Sequence, residues 1–358
     1  MAFETLRLSD LMEGARNACI NFGNVKKGEK VLIVTDTKTD FRRVEAVACV
    51  CREAGAEVTT MIMKAAEIPN QEPPATVAEA MKAADIVIAP LFITISHTKA
   101  RNACIAAGAR YLGMYAYDIE ELSCEGARFP AEIIFRVTQI VRDQWLKGKQ
   151  ITVTCDKGSN LSAKMDPQYV VGWEGCIGPL GTYHKNGTWL ERFGNFAGGF
   201  GVVGVWPQWT SEGVLYFDAA HTIKGRLKTP LKFVVKGGRV VDFDGDAEVV
   251  DFFKGIVKKF GPDANHIGEL MIGTNAKARL HLDDVAHVEA HRRAGTLHCA
   301  MGNSIDNDMQ VFPGVHLDQL MITPNVYIDD EPCVLNGKLL AYDLPEIQEL
   351  CQKHGWTV

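Results

Sequence analysis

Four short apolar runs divide the first 145 or so residues: KVLIVTD (30–36), EVTTMIM (57–63), DIVIAPL (85–91) and RYLGMY (110–115). Runs of six or seven residues rich in Val, Ile, Met and Tyr predict strands rather than helices. Between them, FRRVEAVACVCREAG, TVAEAMKAA and HTKARNACIAAGA place apolar residues three and four apart and end in Gly or small residues. That spacing predicts amphipathic helices with C-terminal stops. Strands alternating with helices give a parallel sheet covered by helices.

FPAEIIFRVTQIVRDQWLKGKQ has Pro at a helix start and helical apolar spacing, and is expected to connect two halves of the chain. Beyond it the pattern changes to Gly and strand-like alternation: ITVTC, GVVGVW, GVLYFDAA, and LKFVVKGGRVVDFDG, whose KGG separates two apolar runs as a hairpin turn would. One further helix, AEVVDFFKGIVKKFG, follows. The expected fold class is α/β: a Rossmann-like parallel-sheet domain over 1–146, then a strand-rich α+β metal-binding domain over 147–358. No G-x-G-x-x-G follows the first strand, so a dinucleotide is not implied.

With 358 residues, the chain exceeds what one core comfortably serves, in keeping with two domains. A formal net charge of -6 argues against a nucleic-acid partner, because phosphate binding needs concentrated Lys and Arg. The charges in MAFETLRLSDLMEGARNA, and the lack of any 18-residue uncharged apolar run, predict no signal peptide and no membrane partner; a cytoplasmic location is expected. The ten cysteines form no C-x-x-C pair and are expected to be mostly buried thiols.

Seven of the ten histidines lie between His221 and His316. Four stretches place a possible ligand in or beside an apolar, strand-like segment: TSEGVLYFDAA with Glu212, NHIGELMIGTN with His266 and Glu269, GTLHCAMGN with His298, and GVHLDQL with His316 and Asp318. A carboxylate buried without a partner costs several kcal/mol, and a divalent cation can supply that partner. His316 and Asp318, two residues apart on a strand, would share a face. His-x-Asp pairs also arise by chance, and Glu212 could be a solvated turn residue. His281, His287 and His291, in the charged stretch ARLHLDDVAHVEAHRRAG, are expected to be solvated.

Together with SHTKARNACIAAGAR, MYAYDIEEL, ELMIGTNAKA, GTLHCAMGNS and HLDQLMITPNVYIDD, these stretches make the sequence resemble the aminopeptidase T-like (M29) metallopeptidases and the related 2,5-dihydroxypyridine 5,6-dioxygenases. The peptidase resemblance implies two divalent ions, Zn, Mn or Co, held by Glu212, Glu269, His298, His316 and Asp318. A metal-bridging Glu212 or a nearby His97 would then shuttle protons. The tyrosine that such peptidases carry seven residues after the histidine of C-H-L-A-L-G is replaced here by Ile305. The dioxygenase resemblance instead implies one Fe(II) held by His266, His316 and Asp318, with His97 near an acid–base position.

The sequence alone favours the metal-dependent hydrolase, cleaving an amide of a short peptide or small molecule with metal-activated water, because all five peptidase ligand types are present. The ring-cleaving dioxygenase is the alternative, and a binding module with a degenerate site is a third reading. Trp173, Trp189, Trp206 and Trp209 could stack on a flat substrate, or be core aromatics. A homo-oligomer is expected.

Overall fold

The structure, a computed structural model, describes residues 5–67, 70–96, 98–116, 118–173, 193–196, 198–207, 209–220, 224–283, 288–303 and 313–358. Two compact units emerge, each drawn from three stretches of chain: 1–135, 173–201 and 277–279 in one, and 136–172, 202–276 and 280–358 in the other.

In the first unit the apolar runs form strands β1 (Lys30–Asp36), β2 (Glu57–Met63), β3 (Ile86–Leu91) and β4 (Arg110–Tyr115). Every residue of β3 is buried, as expected of a strand covered on both faces. The alternating helices are α1 (Leu8–Arg16), α2 (Phe41–Glu53), α3 (Ala75–Lys82), α4 (Lys99–Ala106) and the single turn α5 (Glu125–Arg128). Asp40 caps α2 by accepting from the Arg42 amide, and Thr98 caps α4 through Arg101. The connecting helix α6 runs Ala131–Trp145.

The chain continues through β5 (Gln150–Thr154), β6 (Asn160–Lys164) and β7 (Val170–Trp173) before β8 (Phe193–Asn195) returns to the first sheet. The strand order there is β2-β1-β3-β4-β8, all pairs parallel. A three-residue strand so far along the sequence from its neighbours carries no local signal, and β8 is an addition to the expected four.

The second unit is built on a 13-stranded sheet. To β5, β6 and β7 it adds β9 (Val202–Val205), β10 (Glu212–Ala220), β11 (Lys224–Lys236), β12 (Arg239–Asp244), β13 (Ile267–Gly273), β14 (Leu297–Gly302), β15 (His316–Met321), β16 (Asn325–Ile328), β17 (Glu331–Leu335) and β18 (Lys338–Leu339). Gly237 and Gly238, both at positive φ, make the expected turn between β11 and β12. Helices α7 (Ala247–Phe260) and α8 (Pro345–Lys353) complete the unit. The parallel first sheet followed by a large, registered antiparallel sheet is the α/β class expected from the sequence.

All nine cysteines among the described residues are free thiols, six of them buried. No described helix is long and apolar enough to cross a membrane.

Candidate metal centre

Three adjacent strands of the second unit, β13, β14 and β15, carry most of the expected ligands. Both β13 and β14 are buried along their whole length. The register aligns Glu269, Ala300 and Asp318 in one row across the three strands, and His298 stands two residues from Ala300 on the same face of β14. In the next row the His266 carbonyl accepts from the Gly302 amide at 2.8 Å, and Gly302 is paired with His316. The small residues Ala300 and Gly302 therefore lie between the functional side chains of the outer strands.

A bulge between Ile267 and Glu269 re-aims β13 so that Glu269 faces this row. Glycine is required at both ends of the arrangement. A Cβ at Gly268 would lie 2.8 Å from the Asn303 oxygen. At Gly302, where φ is +112°, it would lie 2.1 Å from the Val315 oxygen.

The side chains close into a ring of imidazoles and carboxylates. His298 Nε2 lies 3.4 Å from Glu269 Oε1, and His316 Nε2 lies 3.6 Å from the same oxygen. His316 Nε2 is also 3.3 Å from Asp318 Oδ1, while His291 Nδ1 is 3.7 Å from Asp318 Oδ2. The His291 and His298 rings stack at 4.8 Å with 16° between their planes, which completes the ring.

Electrostatics follow from this packing. Burial works against ionisation of Glu269, but hydrogen bonds from His298 and His316 outweigh it and bring the carboxyl down to about 2. Burial opposes ionisation of Asp318 as well, yet His316, then His291 and His298, hold it well below the usual carboxylate range. For His316 burial disfavours the charged form, and Asp318 and Glu269 together keep it well above its ordinary value.

This donor set fits a divalent cation. Glu269, His298 and Asp318 each offer a ligand atom, all within 4.8 Å of one another. Two largely buried carboxylates need positive charge nearby, and an arrangement of imidazole with carboxylate suits first-row transition metals. His316 has the backing usual for a ligating histidine, its Nδ1 lying 2.9 Å from the Asn303 carbonyl oxygen, which leaves Nε2 facing the carboxylates.

His266 and Glu212 form a neighbouring group around the β11–β12 turn. Glu212 Oε1 accepts from the Gly237 amide at 2.6 Å, and the Gly238 carbonyl oxygen lies 3.3 Å from His266 Nδ1. The fully buried His266 ring packs against Trp209 with centroids 3.7 Å apart and the planes tilted by 36°, and burial pushes its pKa down to about 4. Among the described residues, His266 Nε2 has no hydrogen-bond partner. Glu212 is exposed and is not brought to the Glu269–His298–Asp318 cluster, because its carboxylate is engaged by the hairpin backbone.

His291 corrects the expectation of a solvated residue. It lies in a 3-10 turn, Val288–Arg292, all of whose residues are buried, and its side chain is 1% exposed. The charged neighbours Glu289 and Arg292 hid this, since both are buried in the fold; the alternate small and apolar residues Val288 and Ala290 were the available signal. His281 does pair with exposed Asp283 at 3.2 Å. Of the four tryptophans, Trp206 is buried in the core and Trp209 is occupied by His266, so neither is displayed for a flat substrate. His97, His287, Trp189 and Ile305 lie outside the described residues, as does the side chain of Trp173.

Fold and site together define an α/β protein with a histidine–carboxylate cluster, able to hold a divalent cation, on a large antiparallel sheet. The chain belongs to the 2,5-dihydroxypyridine 5,6-dioxygenase (NicX) family, which matches residues 12–341. Among solved structures it is similar to the 2,5-dihydroxypyridine dioxygenase from Pseudomonas putida KT2440, at 17% identity with a TM-score of 0.73, over 96% of this chain and 99% of that one. It is also similar to AmpT from Thermus thermophilus, at 14% identity with a TM-score of 0.65, over 93% of this chain and 99% of that one. These two likenesses show a shared fold. No curated protein matches at a significant level. The preference for a hydrolase over a dioxygenase is thereby corrected: the presence of all five peptidase ligand types misled it, and the family match points to a dioxygenase.

Proposed function

We propose that this protein is a non-haem iron dioxygenase that opens the ring of a hydroxylated N-heteroaromatic compound such as 2,5-dihydroxypyridine. Fe(II) would be held by His266, His316 and Asp318, the two-histidine, one-carboxylate donor set that leaves positions open for substrate and O2. The observation that carries this choice of residues is a shared anchoring. His316 and His266 both turn Nδ1 to a backbone carbonyl, of Asn303 and Gly238, leaving Nε2 for a ligand. His298 differs in its Nδ1, which has no hydrogen-bond partner among the described residues.

The remaining residues prepare the site. Burial keeps His266 neutral at pH 7, the form in which an imidazole can donate its lone pair. Glu269, ionised down to about pH 2, cannot act as a general acid at neutral pH; it accepts from His298 and holds that ring in place.

The test is the iron content of anaerobically purified protein and of its variants. About one iron per chain in the wild type, lost in His316→Ala, Asp318→Ala and His266→Ala, is the expected result. Iron retained by His266→Ala but lost from His298→Ala would overturn the assignment of the third ligand.

A further inference from the structure

The side chain of Asp318 lies between two imidazoles. Its Oδ1 faces His316 at 3.3 Å and its Oδ2 faces His291 Nδ1 at 3.7 Å. His291 arrives from the turn Val288–Arg292, is almost fully buried, and stacks flat on His298, so its ring has little freedom to leave. We propose that His291 is a positioning residue of the metal centre: it holds the outer oxygen of Asp318, so that the inner oxygen is presented to the cation in one orientation. This inference rests on the metal reading above but not on the identity of the substrate.

The physical case is the usual one for an outer partner of a ligating carboxylate. A carboxylate free to rotate presents either oxygen, or both, and loses order on binding a cation. A fixed imidazole beside one oxygen restricts that freedom and favours the other as the ligand. The stacking on His298 ties the same imidazole to the neighbouring strand. His291 thus links β15 and β14 through their functional side chains as well as through the ladder.

The test is Mn(II) binding to the purified full chain, read by the EPR signal of free Mn(II), with no substrate present. His291→Phe keeps a flat ring against His298 and removes Nδ1; His291→Asn restores a donor near the Nδ1 position. His291→Phe is expected to weaken Mn(II) binding about 10- to 100-fold, His291→Asn to recover most of the loss, and the melting temperatures of the metal-free variants to stay close to the wild type. Three results would overturn the proposal: His291→Phe binding Mn(II) within about twofold of wild type, failure of Asn to recover affinity, or losses that track a fall in metal-free stability. A wild-type chain that binds no Mn(II) is a different failure, sinking the metal reading and this inference with it.

Discussion

His316 Nε2 lies 3.3 Å from Asp318 Oδ1, with the two residues two apart on β15 and on the same face of the sheet. Strand alternation alone dictates that relationship. The bulge at Gly268 and the small residues of β14 turn it into a site by bringing Glu269 and His298 to the same place.

Ala300 sits between Glu269 and Asp318 and is fully buried. Its side chain is a single methyl group, the smallest that a chiral residue can place in the row. Ala300→Leu is expected to lower divalent-metal affinity at least about tenfold, while overpacking costs only about 1–3 kcal/mol of stability. Metal titration beside urea unfolding separates the two effects, and unchanged affinity would show that the row is not where the cation sits.

Gly302 holds a backbone conformation that L side chains rarely adopt, with no room for a Cβ beside Val315. Gly302→Ala should destabilise the protein by about 1–3 kcal/mol and disturb the pairing with His316. Denaturant midpoints and iron content should fall together.

His266 supplies a pH signature in the metal-free protein. Its folded pKa of about 4 lies below the ordinary 6.5, so between those values the unfolded chain binds the extra proton. The stability contribution is therefore present above pH 6.5 and is lost as pH falls towards 4, by about 3 kcal/mol in all. His266→Phe should flatten the stability profile across this window in urea unfolding. An identical slope in wild type and variant would mean that His266 is not buried as a neutral ring.

Glu212 separates the two ligand sets expected from the sequence. Its carboxylate closes the β11–β12 turn through Gly237. Glu212→Ala is expected to cost about 1 kcal/mol or less and to leave the iron content unchanged. Loss of metal in this variant would return Glu212 to the centre.

Much of this was legible in the sequence, and the failures have physical reasons. The runs at 30–36, 57–63 and 110–115 are strands over those same residues, because continuous apolar stretches of that length have few other uses. His298, His316 and Asp318 could be picked out because each interrupts an apolar strand. His291 was masked by its charged neighbours Glu289 and Arg292, which the folded turn buries with it; Val288 and Ala290 were the only hint. The engagement of Glu212 by Gly237 and the packing of His266 against Trp209 join segments that are distant in sequence, which a linear pattern does not encode. The choice between hydrolase and dioxygenase was hidden because both resemblances place His316 and Asp318 in the site.

The most direct test of the central claim is the fate of labelled oxygen during turnover of 2,5-dihydroxypyridine by the iron-loaded protein. The account predicts about one O2 consumed per ring opened, as a dioxygenase reaction requires, with both atoms of 18O2 recovered in the product and activity lost in His316→Ala and Asp318→Ala. Turnover without O2 uptake, with label entering only from H2 18O, would contradict it.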